Sequence, residues 1–452
     1  MKRSLFAFAL LLLAASAPAA STTNNDDSCD IAWQPAATLL LPYFEVDFNS
    51  KQPAAQQTLF TIQNISTMPQ IAHVTLWTDL AYPAWSFPVF LTGYDVQPFN
   101  LYDLFANGVI VGTSADTPTL TNPTPGSQPA DNDANPNFLP DVRTACANVP
   151  GTLPASLIND LRQIFTSGKT SDGCQVGNAH ANAIGYITID VVATCTTAKP
   201  TSFGYAAIRL YDNVLTGDYE QLAQVSGRQY AQGSPLVHIR AIPEGGAAGA
   251  VVATSLPYTF YDRYNVAQAS RTIDRRQPLS SVFAPRFIAG GPGGLNTTLK
   301  IWREGVTTSN AVCNDYKNNA VQIGEAVRFD EHENATVVSS CLVLCPGPPP
   351  TPATFSIPAA QTSILPGLST SGDVGGWLYL NLDNGGSANY STSRPGYGQR
   401  GRASQAWVIT SMFAEPTYAT ETAAVALGNG CTPRAGLSTQ QAQIGPAPNP
   451  TP

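Results

Sequence analysis

The sequence predicts an all-β protein: tandem immunoglobulin-like β-sandwich domains with one short helix and long loops. Three observations carry that expectation. Short apolar runs alternate with polar residues at a period of two, the spacing a pleated strand imposes. The 36 Gly and 37 Pro of the 452-residue chain punctuate those runs as the turns of a sandwich do. Charged residues make up 12% of the chain against 43% hydrophobic, about half the usual charged share. That apolar fraction is ample for real cores and too high for a disordered chain. The length suggests roughly two to three domains at about 150 residues each.

Residues 1–20 read as a signal peptide. Lys2 and Arg3 form a basic start, Leu5 to Ala14 an apolar core, and Ala17-Pro-Ala19-Ala20 a small-residue cleavage site. The apolar run is short for a membrane span, and no second stretch of spanning length appears. The expected localisation is therefore secreted: periplasmic, extracellular or surface-associated. Residues 37–112 are expected to form a first immunoglobulin-like sandwich. It begins with a strand containing Leu39-Leu-Leu-Pro-Tyr-Phe-Glu-Val46. Thr58 to Asp79 then reads as two strands joined by a short turn. Phe60 and Ile62 share one face, and Val74 and Leu76 alternate against His73, Thr75 and Trp77. Asn64 to Pro69 supplies the break. Trp85 to Leu91 and Thr92 to Leu104 complete the set.

Residues 113–183 read as an insertion of loop and helix. Leu157, Leu161 and Ile164 make an apolar stripe between Leu153 and Gly168, with Pro154 suited to the first turn and Gly168 to the stop. Residues 184–431 form a second β region, divisible into two sub-domains. Ile187, Ile189 and Val191 alternate with Thr188 and Asp190. The same alternation returns at Val237 and Ile239, at Leu299 and Ile301, and at Val327 and Phe329. Cys345-Pro-Gly-Pro-Pro-Pro-Thr-Pro352 reads as a stiff connector. Residues 432–452 are expected to be a disordered tail.

Charge and cysteine usage narrow the partners. Removing Lys2 and Arg3 takes the formal charge from −8 to −10, which argues against nucleic acid and against anionic membrane surfaces. Eight Cys in an exported chain are disulfides by default, although sequence does not choose among about a hundred pairings. Cys146, Cys174, Cys313, Cys341 and Cys345 are the candidates. Cys146 and Cys174 flank the one helix and are the favoured pair, whose closure contributes on the order of 3 kcal/mol. Cys341 and Cys345 do not bridge within one straight strand, since four residues span about 13 Å against a Cα limit of about 7 Å.

No catalytic motif, cofactor site or metal site is expected. The four His are scattered, and Asp330-Glu-His-Glu333 on a strand splits between two faces. Asp131-Asn-Asp133-Ala-Asn135 has the oxygen spacing of a calcium loop, but Pro136 stands where Gly is wanted and no Glu closes it. No Gly-x-Ser-x-Gly elbow is present. Gly290-Gly-Pro-Gly-Gly294 lacks the Lys-Ser/Thr of a phosphate loop. The densest polar cluster runs from Tyr258 to Arg276. With His238 and Arg240 nearby, Asp262, Arg263, Arg275 and Arg276 form either an internal Arg–Asp network or a pocket for an acidic or sugar ligand. Trp77, Trp85, Trp302, Trp377 and Trp407 serve either as core or as flat sugar platforms.

Leu91-Thr-Gly-Tyr-Asp-Val-Gln97, Pro235-Leu-Val-His-Ile-Arg240 and Ser404-Gln-Ala-Trp-Val-Ile409 resemble secreted bacterial β-rich proteins with no assigned activity. The resemblance implies an exported bacterial β protein and carries no functional residues across. The expected function is a structural or adhesive role at the cell surface without catalysis, with other surface proteins or glycans as partners. A glycan-binding module and a secreted hydrolase with a loop-built site are the alternatives.

Overall fold

The computed structural model describes residues 34–113, 149–202, 204–205, 208–225, 228–241, 276–277, 279–288, 296–304, 316, 321–322, 325–340, 354–355, 362–363, 375–382, 405–414 and 418–427. The fold is mostly β, built from several antiparallel sheets. The expected leader (1–20), the connector after Cys345, the tail and the calcium-like and glycine-rich segments all lie outside the described residues.

One sheet organises the rest. It runs in the order β10 (Val237–Ile239), β1 (Thr38–Val46), β6 (Ala183–Val191), β3 (Gln70–Thr78), β4 (Pro83–Leu91). A second sheet, in the order β5 (Val96–Asn100), β2 (Gln57–Asn64), β8 (Asp218–Val225), β9 (Arg228–Pro235), lies over one face, with the short β7 (Leu215–Thr216) added to β2. Leu39, Val74, Phe87 and Ile189 of the first sheet meet Phe60, Ile62, Phe99 and Tyr219 of the second in one continuous core. Each fully buried aliphatic or aromatic side chain there contributes about 1.5–3 kcal/mol.

The opposite face of the first sheet is covered too. Leu40, Trp77, Tyr186, Val237 and Ile239 pack in a second core with residues of two rear sheets. One rear sheet includes β11 (Val282–Ala284), β15 (Glu325–Asp330), β16 (Ala335–Ser340), β19 (Gly375–Asn381) and β22 (Val425–Ala426), with β12 (Arg286–Ile288) beside β19. The other includes β13 (Asn296–Arg303), β18 (Thr362–Ser363), β20 (Ala406–Ala414) and β21 (Tyr418–Ala423). A small ribbon joins β14 (Val321–Gln322) to β17 (Thr354–Phe355). The first sheet is therefore the middle layer, buried on both faces; every residue of β3 and β6 is buried.

Two sequence expectations change. β2 and β3 are strands as read, but they do not pair with each other: β2 bonds β5 and β8, and β3 bonds β4 and β6. The Ile65–Pro69 turn carries the chain from one sheet to the other, with Asn64 Nδ2 donating to the carbonyls of Met68 (2.7 Å) and Thr92 (2.9 Å). The expected division between residues 112 and 184 does not separate the sheets either. β6 sits between β1 and β3, and β8 beside β2, because apolar edges left by the first segment are completed by strands more than a hundred residues on.

The helix forms where the stripe predicts it. Helix α1 (Ala155–Ser167) starts after Pro154 and stops at Gly168, whose φ is 67°. A Cβ at Gly168 would sit 2.3 Å from the Gly177 carbonyl oxygen, so both backbone angle and space require glycine. Leu161, Ile164 and Phe165 are its buried face. Phe165 reaches Phe44 and Phe105 at centroid distances of 5.5 and 5.4 Å. Gly185 of β6 makes room for that contact: a Cβ there would meet Phe165 and Phe44 ring atoms at 2.8 Å.

Candidate functional site

The middle sheet has an apolar face toward the second sheet and a polar-rich face toward the rear. Strand register places Thr38 of β1, Asp190 of β6 and His73 of β3 in one cross-strand row. Leu40, Thr188, Thr75 and Ser86 form the next row, and Tyr186 and Trp77 begin the third. Such rows follow from the period of two that put Ile187, Ile189 and Val191 on the other face.

The groups of the first row bond one another. Thr38 Oγ1 donates to Asp190 Oδ1 at 2.6 Å. Arg276 Nε donates to Thr38 Oγ1 at 2.5 Å and Nη2 to the Leu210 carbonyl at 2.7 Å. The Arg276 guanidinium also lies 3.9 Å from Asp190 Oδ1 and over the Tyr211 ring. Tyr205 OH donates to Asp190 Oδ2 at 2.8 Å and sits 2.8 Å from His73 Nδ1. The Tyr205 hydroxyl thus bridges Asp190 and His73. Burial lowers the His73 pKa to about 4, against the opposing influence of the Asp190 carboxylate and the Ala198 backbone. Ser86 Oγ and Thr75 Oγ1, 3.0 Å apart, extend the chain of hydroxyls. In the third row Trp77 Nε1 donates to Thr188 Oγ1 at 2.8 Å and its ring stacks on Tyr186.

This row holds a carboxylate, an imidazole, a phenol and a guanidinium in contact, yet Thr38, His73, Asp190 and Arg276 are all 0% exposed. No substrate reaches such a set. Its chemistry is that of an internal network in which one buried polar group holds the next, with His73 Nε2 left without a hydrogen-bond partner among the described residues.

Of the residues singled out from sequence, Asp262, Arg263 and Arg275 lie outside the described residues. Arg276 and His238 are described, and they do not converge. His238 pairs in register with Leu39, on the apolar-core face, whereas Ile239 pairs with Thr38, the residue Arg276 reaches on the opposite face. His238 Nδ1 lies 2.9 Å from the Gln34 carbonyl and Nε2 3.4 Å from that of Gly217, and burial lowers its pKa. Arg240 is half-buried next to Ala241, which bridges to Arg276. Cys174 and Cys195 each take part in a disulfide, and no described cysteine is free. Cys146, Cys313, Cys341 and Cys345 lie outside the described residues. Asp330-Glu-His-Glu333 forms the β15–β16 turn: Asp330 Oδ1 accepts from the backbone N–H groups of His332 and Asn334, each at 2.8 Å. The Asn334 side-chain amide, donating to Asp330 Oδ2 at 2.9 Å, holds the Asp330 carboxyl below its ordinary range, and the backbone bonds act in the same direction. No group of three or more metal-ligating side chains occurs among the described residues. Trp77 and Trp302 are fully buried, and Trp85, Trp377 and Trp407 are partly so; Trp377 lies flat on Phe329 at 4.0 Å.

Sequence reading missed a second polar cluster. Lys300 of β13, Glu421 of β21, Tyr219 and Gln221 of β8 and Tyr43 of β1 meet where the second sheet abuts the rear layer. No spacing along the chain signals it, since Tyr43, the Tyr219–Gln221 pair, Lys300 and Glu421 come from four segments at least 79 residues apart. A third feature is an apolar pocket of about 190 Å³ at the open side of the two-sheet core, between the edge strands β4 and β5. Phe60, Leu76, Phe87, Phe99, Leu104 and Ile110 are among its walls. Val111 also lines it and is 65% exposed; Tyr94 and Val96, at the start of β5, are 68% and 44% exposed. The Gln97 side chain ties Val111 to β5 through its carbonyl at 2.8 Å, and Tyr94 N–H bonds the Ser66 carbonyl at 2.9 Å.

Comparison with protein-family models, with curated proteins and with solved structures found no match.

Proposed function

We propose that this is an exported structural or adhesive protein of the cell surface, without catalytic activity. The proposal includes cleavage of the leader after about residue 20 and a tandem immunoglobulin-like arrangement of the sandwich layers. The observation that carries it is a contrast of placement. The carboxylate, imidazole and guanidinium of the Thr38–Asp190–His73–Arg276 row are spent inside the fold, while Ile65, Tyr94, Val96 and Val111 are presented to solvent. Grouped exposed apolar residues mark contact surfaces, and Tyr is a residue type enriched in them. Strand addition does not suit this corner: Pro98 in β5, and Pro83 and Pro88 in β4, remove donors from both neighbouring edges. Side-chain docking does. The partly covered Trp residues give a glycan platform no support.

Beads coated with the exported full chain, and beads coated with a Tyr94→Ser/Val111→Ser variant, test this reading on cells carrying surface proteins. Retention of the first and at least tenfold weaker retention of the second is the expected result. Equal retention of both, or turnover on a broad panel of ester, peptide and glycoside substrates, overturns it. Fusion of residues 1–20 to a phosphatase that matures only in an oxidising compartment reports export.

A further inference from the structure

Lys300, Gln221 and Glu421 belong to three strands of two sheets and meet in a solvent-excluded site. The side chains of Lys300 and Glu421 are 6% and 0% exposed, and Gln221 is buried with them. Lys300 Nζ donates to Gln221 Oε1 and lies 3.3 Å from Glu421 Oε1. Gln221 Nε2 donates to the Tyr43 carbonyl at 3.2 Å, which fixes the carboxamide plane. The Tyr43 ring stands 5.0 Å from the same ammonium. Tyr219 OH donates to Glu421 Oε1 at 3.1 Å, while Glu421 Oε2, fully buried, has no hydrogen-bond partner among the described residues.

An ion pair alone is the simpler use of Lys300 and Glu421. It does not account for a carboxylate oxygen left without a donor in a dry site, which costs free energy. An amine, a carboxamide held in contact with it and a carboxylate with one uncommitted oxygen are the three parts an acyl transfer needs: nucleophile, acyl group and proton carrier. Enforced contact in a closed site makes such a reaction effectively unimolecular.

We propose that Lys300 and Gln221 become joined by an isopeptide bond, with Glu421 as the proton carrier. Glu421 takes one proton from the Lys300 ammonium, and the freed lone pair forms the Nζ–Cδ bond to Gln221. The Cδ–Nε2 bond breaks with its electron pair retained on nitrogen. Nε2 receives the second Nζ proton and departs as ammonia, leaving as ammonium with the proton that Glu421 held. Nothing is oxidised or reduced, and no co-reactant is needed. The bond ties β8 of the second sheet to β13 of the rear layer. It depends on this buried cluster and not on what the exposed corner contacts.

Mass spectrometry of the reduced, trypsin-digested full chain tests it. The expected result is peptide 210–228 joined to peptide 287–303, lighter than their sum by one ammonia, with no cleavage after Lys300. Glu421→Gln, and separately Lys300→Arg, should return peptides 210–228 and 287–300 unlinked; circular dichroism checks that each variant keeps its β signal. Cleavage after Lys300 and an unmodified Gln221 in the natural sequence overturn the proposal, even if neither variant folds. A linked peptide that persists in Glu421→Gln overturns the role of Glu421.

Discussion

Ile189 and Asp190 are chain neighbours on one strand, equally inaccessible to solvent, and held by opposite means. Ile189 faces the second sheet among Leu39, Val74 and Phe87, where burial of hydrocarbon is the whole of its contribution. Asp190 faces the rear layer, where Thr38, Tyr205 and Arg276 replace the water it gave up. The difference teaches that burial alone says little about what a position tolerates. An apolar contact degrades by degrees as atoms are removed. A satisfied buried charge fails as a unit, because its loss strands its partners.

The largest expected effect comes from breaking the polar row. Asp190→Ala removes the carboxylate that Thr38 and Tyr205 donate to and that lies 3.9 Å from the Arg276 guanidinium, and should lower the free energy of unfolding by about 3–5 kcal/mol, read from denaturant midpoints at constant slope. A cost no greater than that of trimming Ile189 would erase the distinction between the faces.

The next effect belongs to pH. The His73 pKa in the folded state is depressed to about 4 from 6.5, so the unfolded chain takes up the proton first as pH falls. Stability fully present above pH 6.5 is therefore lost through the window down to about 4. Between pH 7 and pH 5 this one group should remove about 2 kcal/mol. The His73→Gln variant should lack that component, seen as a shallower fall of Tm with pH than in the natural sequence. Identical slopes in the two proteins would show that His73 does not titrate as its surroundings dictate.

The smallest effect is the apolar control. Ile189→Val removes one methylene from the hydrocarbon face and should cost about 1 kcal/mol, with the pH profile of the unaltered chain. A changed pH profile there would mean that the two faces are coupled through the sheet.

Much of this comparison was legible in the residues. The alternation of Ile187, Ile189 and Val191 with Thr188 and Asp190, and of Val74 and Leu76 with His73, Thr75 and Trp77, assigns each side chain to a face without any coordinates. The limits of α1 were equally readable, because Pro154 and Gly168 act locally. Partners were not. That β2 leaves β3 for β5 and β8, that β6 wedges between β1 and β3, and that His238 and Arg276 lie on opposite faces are facts of long-range register. The Lys300–Gln221–Glu421 cluster is of the same kind.

Period, turn chemistry and composition by themselves determined that the chain makes β strands, where one helix begins and stops, and which side chains share a face. These are properties of a few consecutive residues and their backbone angles. Which strands lie side by side, whether a polar face meets water or a second layer, and which distant side chains touch were decided only when the sheets stacked. Apolar faces attract without direction, so many pairings compete locally, and the choice among them is made by how completely the assembled layers bury hydrocarbon and satisfy the polar groups between them.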